Sequence, residues 1–359
     1  MMQINITKPY LPDKNKYYKY IDRIWQNNHL TNFGPMSLEL ENRLCEYLDV
    51  PHILLVSNGT LALQIAYKIL RLDIGDTIIS TPFSFVATSN TIIWENLKVR
   101  FCDISKDSFC IDTNKLKNLL NTKDKTTKAI LPVHVFGNAC DVEELDKIAK
   151  ENSLYLIYDA AHAFGVKYKD KSIFKYGDIA TISFHSTKIF HTIEGGAIIF
   201  RDKNLFDEAR SMINFGLKNN MPEILGINTK NSEFHAAMGL CILDDINLIL
   251  EDRNRIWEYY YKNLKDYFEF QKLNSSNNYH YFPILFKNEQ FLITKLRILN
   301  ENNIFPRRYF YPSLDTLRYN TSEICPISRD IASRVLCLPL YVGLSQKEQD
   351  KIIKILIKG

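Results

Sequence analysis

No Cys-x-x-Cys pair occurs in the chain and its histidines do not cluster, which excludes a zinc site of the usual ligand spacing. The seven cysteines (Cys45, Cys102, Cys110, Cys140, Cys241, Cys325, Cys337) are odd in number and scattered, so they read as reduced thiols and not as a disulfide framework. No uninterrupted apolar run approaches membrane-spanning length, and the start, Met1 to Lys8, lacks a basic stretch followed by an apolar segment. A cytoplasmic location is the expectation. Blocks of like charge are absent too: 45 basic and 41 acidic residues are interspersed for a net charge of +4, which gives no support to a nucleic-acid or membrane-surface role. Internal repeats and low-complexity segments are missing. What is present is ordinary globular composition, 46% hydrophobic and 24% charged, over 359 residues, enough for two domains with a substantial core.

Short apolar, β-rich runs alternate with amphipathic stretches. Strands are expected at Ile53 to Val56, Thr77 to Ser80, Val99 to Cys102, Ala129 to Val133, Tyr155 to Tyr158, Ile179 to Phe184 and Ala197 to Phe200, with helical patterns at 61 to 70, 86 to 94, 141 to 152 and 203 to 213. Strands apolar on both faces imply a mostly parallel sheet flanked by helices, an α/β fold. After about residue 245 the texture changes to a charged helix, Asp252 to Tyr267, the polar stretch Leu273 to Asn278, a strand at Tyr281 to Phe286, and helices at Glu289 to Asn300 and Gln346 to Ile357. This divides the chain into a large α/β domain, 1–245, that includes an N-terminal arm, and a smaller C-terminal α+β domain, 246–359.

Lys188, in Ser-Phe-His-Ser-Thr-Lys (183 to 188), follows Asp159 of Tyr-Asp-Ala-Ala-His (158 to 162) by 29 residues, and each stands at the exit of a buried strand. A lysine amine and a carboxylate held at neighbouring strand ends can grip pyridoxal phosphate, the lysine as a Schiff base and the carboxylate keeping the pyridine nitrogen protonated. In so apolar a setting the lysine is partly desolvated, which lowers its pKa, although a solvated surface lysine is the commoner case for any single lysine. Asp159 needs a cationic or hydrogen-bonding partner; a pyridinium and a local helix cap at Ala160 to Ala163 both answer that need.

Ser57-Asn58-Gly59-Thr60 follows the first strand and opens the first helix, where free backbone N–H groups and the positive end of the helix dipole can hold a phosphate. Taken alone it reads first as a helix cap. Ser183 can add a hydroxyl to the same phosphate or bond the backbone as a buried serine. Phe85 can lie flat on the cofactor ring or belong to the core. His162 can sit against the ring or be structural, and for His185 the structural reading is the stronger. Glu194-Gly195-Gly196 reads as a tight return into the next strand.

Five ordered segments, Ser57 to Leu63, Thr81 to Thr88, Pro132 to Gly137, Asp159 to Ala163 and Ser183 to Lys188, together resemble the nucleotide-sugar aminotransferases of the DegT/DnrJ/StrS type, and the likeness runs from about residue 30 to the end. The resemblance implies a fold type I pyridoxal-5'-phosphate-dependent aminotransferase that is a homodimer with both active sites at the subunit interface. It implies Lys188 as the cofactor lysine, Asp159 as the partner of the ring nitrogen, Phe85 and His162 as ring neighbours, and Gly59, Thr60 and Ser183 as phosphate ligands. Asn228 matches the asparagine that the second subunit sends to the phosphate, although Thr229 and Lys230 stand where an aromatic and an arginine are usual. Arg307 to Leu314 resembles a stretch near the sugar-nucleotide pocket, within which Tyr311 is the candidate substrate contact.

The run from Ser183 to Gly196 is similar to that of members making dTDP-4-amino-4,6-dideoxyglucose for surface polysaccharide such as O-antigen. The expected reaction is therefore amino transfer from L-glutamate to dTDP-4-keto-6-deoxyglucose. The alternatives are a C3-keto or UDP-linked sugar and a non-catalytic cofactor-binding regulator. The family's dehydratases carry histidine at the position of Lys188, which sets them aside, and no Gly-x-Gly-x-x-Gly follows a strand to support a nicotinamide enzyme.

Overall fold

The computed structural model describes residues 3–122, 124–320 and 323–358. Its centre is a seven-stranded sheet made of β1 (His52–Val56), β2 (Thr77–Ser80), β3 (Lys98–Phe101), β4 (Thr127–Leu131), β5 (Tyr155–Asp159), β6 (Ile179–Ser183) and β7 (Gly196–Phe200). The order across the sheet is β1-β7-β6-β5-β4-β2-β3, and every pairing is parallel except the two made by β7, which runs antiparallel to both neighbours.

The strands show no apolar/polar alternation because both faces of the sheet are covered, yet the period of two survives as a division between two cores. Ile53, Leu55, Ile79, Ile130, Ile182 and Ile199 point into one core. Their immediate neighbours Leu54, Val56, Ile78, Leu131 and Ile198 point into the other, with Ile179 on the same side. The first core is closed by the helices Pro35–Leu48, Val142–Glu151 and Glu233–Asp244, the second by Gly59–Ile69 and Lys203–Met212. With each fully buried aliphatic side chain contributing about 1.5–3 kcal/mol, this three-layer burial fixes the strand ends in space. The sequence pattern located all seven strands to within two residues at either end. It did not register the helices Lys14–Asn27, Pro35–Leu48 and Glu233–Asp244.

The C-terminal third packs around a separate core that includes Ile256, Tyr260, Phe282, Ile284, Leu299, Leu336 and Ile352. Its strand Pro283–Leu285 runs antiparallel to Val335–Cys337. The N-terminal strand Ile4–Asn5 joins this region, pairing in parallel with Ile304–Phe305, and Ile4 is buried in the same core. The closing helix Gln346–Ile357 begins with a reciprocal cap in which Ser345 and Glu348 each bond the other's backbone N–H.

Candidate active site

The parallel strands all end at one edge of the sheet, the edge at which open α/β sheets hold their ligands. β1 ends at Val56, β5 at Asp159 and β6 at Ser183. A cavity of about 350 Å³ opens there, lined among others by Gly59, Thr60, Phe85, Asp159, His162, Ser183 and Lys188. Seven of the nine residues proposed from sequence are thus brought to one wall. Asn228 is not among them: it is exposed on the loop before Glu233–Asp244, bridged to Asn214, and does not line the cavity of its own chain. Tyr311 also stays at the surface, half exposed, with the Arg308 guanidinium 3.4 Å from its ring centre. The neighbouring Tyr309 and Phe310 line the cavity instead, with Tyr281, Arg307 and His185.

Asp159 is buried, and its carboxylate is held at both oxygens: Thr88 Oγ1 donates to Oδ2 at 2.7 Å and the Ala161 N–H to Oδ1 at 3.1 Å. Ser84 Oγ lies 2.7 Å from Thr88 Oγ1 and, since Thr88 spends its proton on Asp159, Ser84 is the donor. Burial nevertheless lifts the Asp159 pKa above the usual carboxylate value, against the pull of Thr88, Ala161 and Lys188. Lys188 shows the mirror image, its amine pushed down to about 8 by burial although Asp159 favours the charge. For both groups, loss of water outweighs mutual attraction. The Lys188 amine is hydrogen-bonded to none of the described residues, which leaves it free to attack.

The helix Gly59–Ile69 starts at this edge. Asn58 caps it, its side chain accepting the Leu61 N–H at 2.9 Å, and the Gly59 and Thr60 N–H groups point onward without an acceptor among the described residues. Two glycines allow the close fit. A Cβ on Gly59 would stand 3.0 Å from the Ser183 Cβ, and one on Gly196 would stand 2.6–2.8 Å from the backbone of Asn58 and Gly59. Gly196 is the register partner of both Val56 on β1 and Ser183 on β6, so the return turn read from sequence is also the floor on which the helix start rests.

His162 is buried with its ring parallel to Phe310, centroids 5.4 Å apart, and edge-on to Tyr281 and His280. Burial, with Lys188 and His280 nearby, drives its pKa well down, so the ring is neutral. Its Nδ1 has no partner among the described residues. The carbonyl of His162 is held from the segment that leads into the C-terminal core: Asn278 Nδ2 donates to it at 2.8 Å, and His280 Nδ1 lies 3.2 Å away. Arg253, buried, donates to the carbonyls of Tyr279 and His280 at 2.9 and 2.6 Å and fixes that segment in turn. Sequence reading missed Ser84, Thr88, Asn278, His280 and Arg307. Ser84 and Thr88 fall inside a segment already singled out, Thr81 to Thr88, and Arg307 opens another, Arg307 to Leu314, in which Tyr311 was the residue chosen.

A mixed sheet with helices on both faces, a buried carboxylate facing a desolvated lysine and a helix start beside them is the architecture of the fold type I aminotransferases. Residues 12–357 match the DegT/DnrJ/EryC1/StrS aminotransferase family, and the chain belongs to it. It is 38% identical to the dTDP-4-amino-4,6-dideoxy-D-glucose transaminase of Shigella dysenteriae, covering 98% of this chain and 97% of that protein. It is also 38% identical to the protein of the same name from Escherichia coli, covering 99% and 98%. Among solved structures it superposes on DesI, crystallised with its TDP-sugar product, with a TM-score of 0.92 at 26% identity over 99% of this chain and 92% of that one. Helicobacter pylori PseC, an aminotransferase of pseudoaminic acid biosynthesis, gives a TM-score of 0.91 at 27% identity, covering 99% and 98%.

Proposed function

We propose that this chain is a pyridoxal-phosphate-dependent aminotransferase that moves the amino group of L-glutamate to dTDP-4-keto-6-deoxyglucose, giving dTDP-4-amino-4,6-dideoxyglucose. The observation that carries the reading is the convergence of Lys188 and Asp159 on one cavity beside the open start of a helix. The sugar rests on the two relatives that are 38% identical over nearly the whole chain.

The residues present fit the cofactor. Asp159 is a buried carboxylate whose raised pKa marks a shortage of positive charge, which a protonated ring nitrogen supplies. The glycine-lined helix start, with its unused N–H groups, suits a phosphate. Pyridoxal phosphate, when bound, supplies an aldehyde for amine exchange and a ring that draws electrons from the bond being broken.

Around it, Lys188 Nζ would anchor the cofactor and, once released by the incoming amine, would act as the base that removes and returns the proton at the substrate carbon. Thr88 and Ala161 favour the ionised form of Asp159 and aim it, so that it would hold the proton on the ring nitrogen. Gly59, Thr60 and Ser183 would hold the phosphate, Phe85 and His162 would neighbour the ring, and His162, neutral and stacked on Phe310, adds no competing charge. The proposed organisation is a cofactor-binding domain over 1–245 and a smaller domain over 246–359. A homodimer is proposed as well. Asn228 then serves the partner's cavity, in keeping with its position outside its own and with the exposed Met221, Leu225 and Ile227 around it.

The test offers purified holoenzyme glutamate and a panel of keto-sugar nucleotides and locates the new C–N bond by NMR. The 4-amino product from the dTDP-4-keto sugar is expected. Turnover confined to a C3-keto or UDP-linked sugar would replace the substrate assignment, and binding of the cofactor without turnover of any would reduce the chain to a regulator.

A further inference from the structure

Among the arginines near the cavity, Arg307 alone has no carboxylate or carbonyl partner for its side chain among the described residues; its guanidinium engages the Tyr309 side chain. Its backbone is locked into the fold, since its N–H donates to the Cys337 carbonyl at 3.1 Å and its carbonyl accepts from the Cys337 N–H at 2.9 Å, with Cys337 fully buried. Its side chain lines the cavity that holds Lys188 and Asp159. The guanidinium stands 4.8 Å from the Tyr309 ring centre and forms no ion pair with any of the described residues. The next residue shows the contrast: Arg308 is bonded to Glu289 at 2.6 Å and to the Ser333 carbonyl at 2.9 Å. Arg253 is spent on two carbonyls.

The charges of the cavity lead to the same residue. Its carboxylates are Asp159 and Glu194, and its fixed or titratable cations are Lys188 and Arg307, with His162 neutral and His185 beside Glu194 at 3.4 Å. With the ring nitrogen matched to Asp159, the phosphate held at the helix start and Lys188 engaged by the cofactor, Arg307 is the permanently charged side chain of the lining to which no carboxylate of the described residues is bonded. Guanidinium forks bind carboxylate and phosphate oxygens in pairs, and a weakly hydrated cation stacked on a phenol ring gives up its remaining water readily.

We propose that Arg307 holds a substrate anion in this cavity, either the carboxylate of the amino donor or a diphosphate oxygen of the sugar nucleotide. The proposal rests on the aminotransferase reading of the same site and names the group that recognises its charged substrate.

The experiment follows the two halves of the reaction separately by single-turnover changes in cofactor absorbance, with L-glutamate added to holoenzyme in the pyridoxal phosphate form in one arm and the keto-sugar nucleotide added to holoenzyme in the pyridoxamine phosphate form in the other. Arg307→Ala raises the half-saturating concentration ~10- to 100-fold in at least one arm, the loss expected for a charge-assisted hydrogen-bonded contact, while the limiting rate changes less. The arm in which the rise appears identifies the anion. Arg307→Lys restores part of the loss. Calorimetric titration with dTDP, which cannot react, reads the diphosphate contact without turnover. Unchanged half-saturation in both arms, or a fall in rate alone, overturns the proposal. Wild-type enzyme whose absorbance responds to no amino donor removes the aminotransferase reading itself, and Arg307 falls with it, whereas a responsive wild type with an indifferent Arg307→Ala sinks only Arg307.

Discussion

The side-chain amide of Asn278 donates to the main-chain carbonyl of His162 at 2.8 Å. The same amide reaches the Phe164 carbonyl at 3.1 Å, and its Oδ1 lies where a Cβ on Gly137 would stand, 2.4 Å away. One buried side chain thus ties the segment entering the C-terminal core to the loop behind the candidate cofactor ring. Asn278→Ala leaves the Phe164 carbonyl unpaired, while that of His162 keeps His280. The expected loss is about 1–3 kcal/mol of stability, seen as a lower urea midpoint at unchanged slope. Asn278→Asp costs more, because a carboxylate then faces two carbonyl oxygens. A midpoint equal to wild type would show the contact to be idle.

Lys188 sets a pH dependence. In the cofactor-free protein its folded pKa is about 8, below the ~10.4 of a free lysine, so the folded state holds fewer protons between these values. This group's contribution to stability therefore rises as pH rises through that window. Reductive methylation of Lys188, followed by peptide mass spectrometry, is expected to gain rate with a midpoint near 8. Asp159→Asn removes the charge that holds the amine's pKa up and moves the midpoint lower still. A midpoint near that of surface lysines, or one that rises in the variant, contradicts the arrangement.

The relay Ser84 to Thr88 to Asp159 predicts a graded series. Thr88→Val deletes the 2.7 Å bond to the carboxylate and leaves Oδ2 unpaired, and kcat/KM is expected to drop at least ~10-fold. Thr88→Ser keeps the hydroxyl and recovers most of it. Asp159→Asn retains the fold by circular dichroism but loses far more turnover than Thr88→Val. Steady-state rates that fail to follow this order would detach Thr88 from the chemistry.

Gly196→Ala is expected to weaken cofactor retention. The added methyl meets the backbone of Asn58 and Gly59 at 2.6–2.8 Å, so the helix start must shift. Fluorescence titration of cofactor-free protein should give an apparent Kd raised by ~10-fold or more, equivalent to about 1.4 kcal/mol, with secondary structure preserved. Unaltered affinity would mean that the helix start does not hold the phosphate.

The strands were legible because both-face burial leaves dense aliphatic runs such as Ile-Leu-Leu-Val at 53–56. The helix Glu233–Asp244 was not, since it is buried all round from Ala236 to Leu243 and an apolar run without a polar stripe has no helical signature. Lys14–Asn27 failed for the opposite reason, with Ile24 its only fully buried residue. Lys188, Asp159 and Gly59 were readable because their chemistry is local to strand ends. Thr88, Asn278 and Arg307 matter only through what the fold places opposite them, and no spacing along the chain encodes that. Tyr311 shows the limit of reading one residue within an aromatic run: Arg308 stacks on it at the surface while its neighbours turn inward.

Because β7 runs against its neighbours, its first residue meets the last residues of β1 and β6 in a single register. Those three points belong to hydrogen-bonded ladders of the central sheet, not to a loop that must order itself around an arriving ligand. The proposed phosphate pocket therefore exists before it is filled. Capture of the cofactor should be limited by encounter and by the slower covalent step at Lys188, with no intervening folding event to delay it.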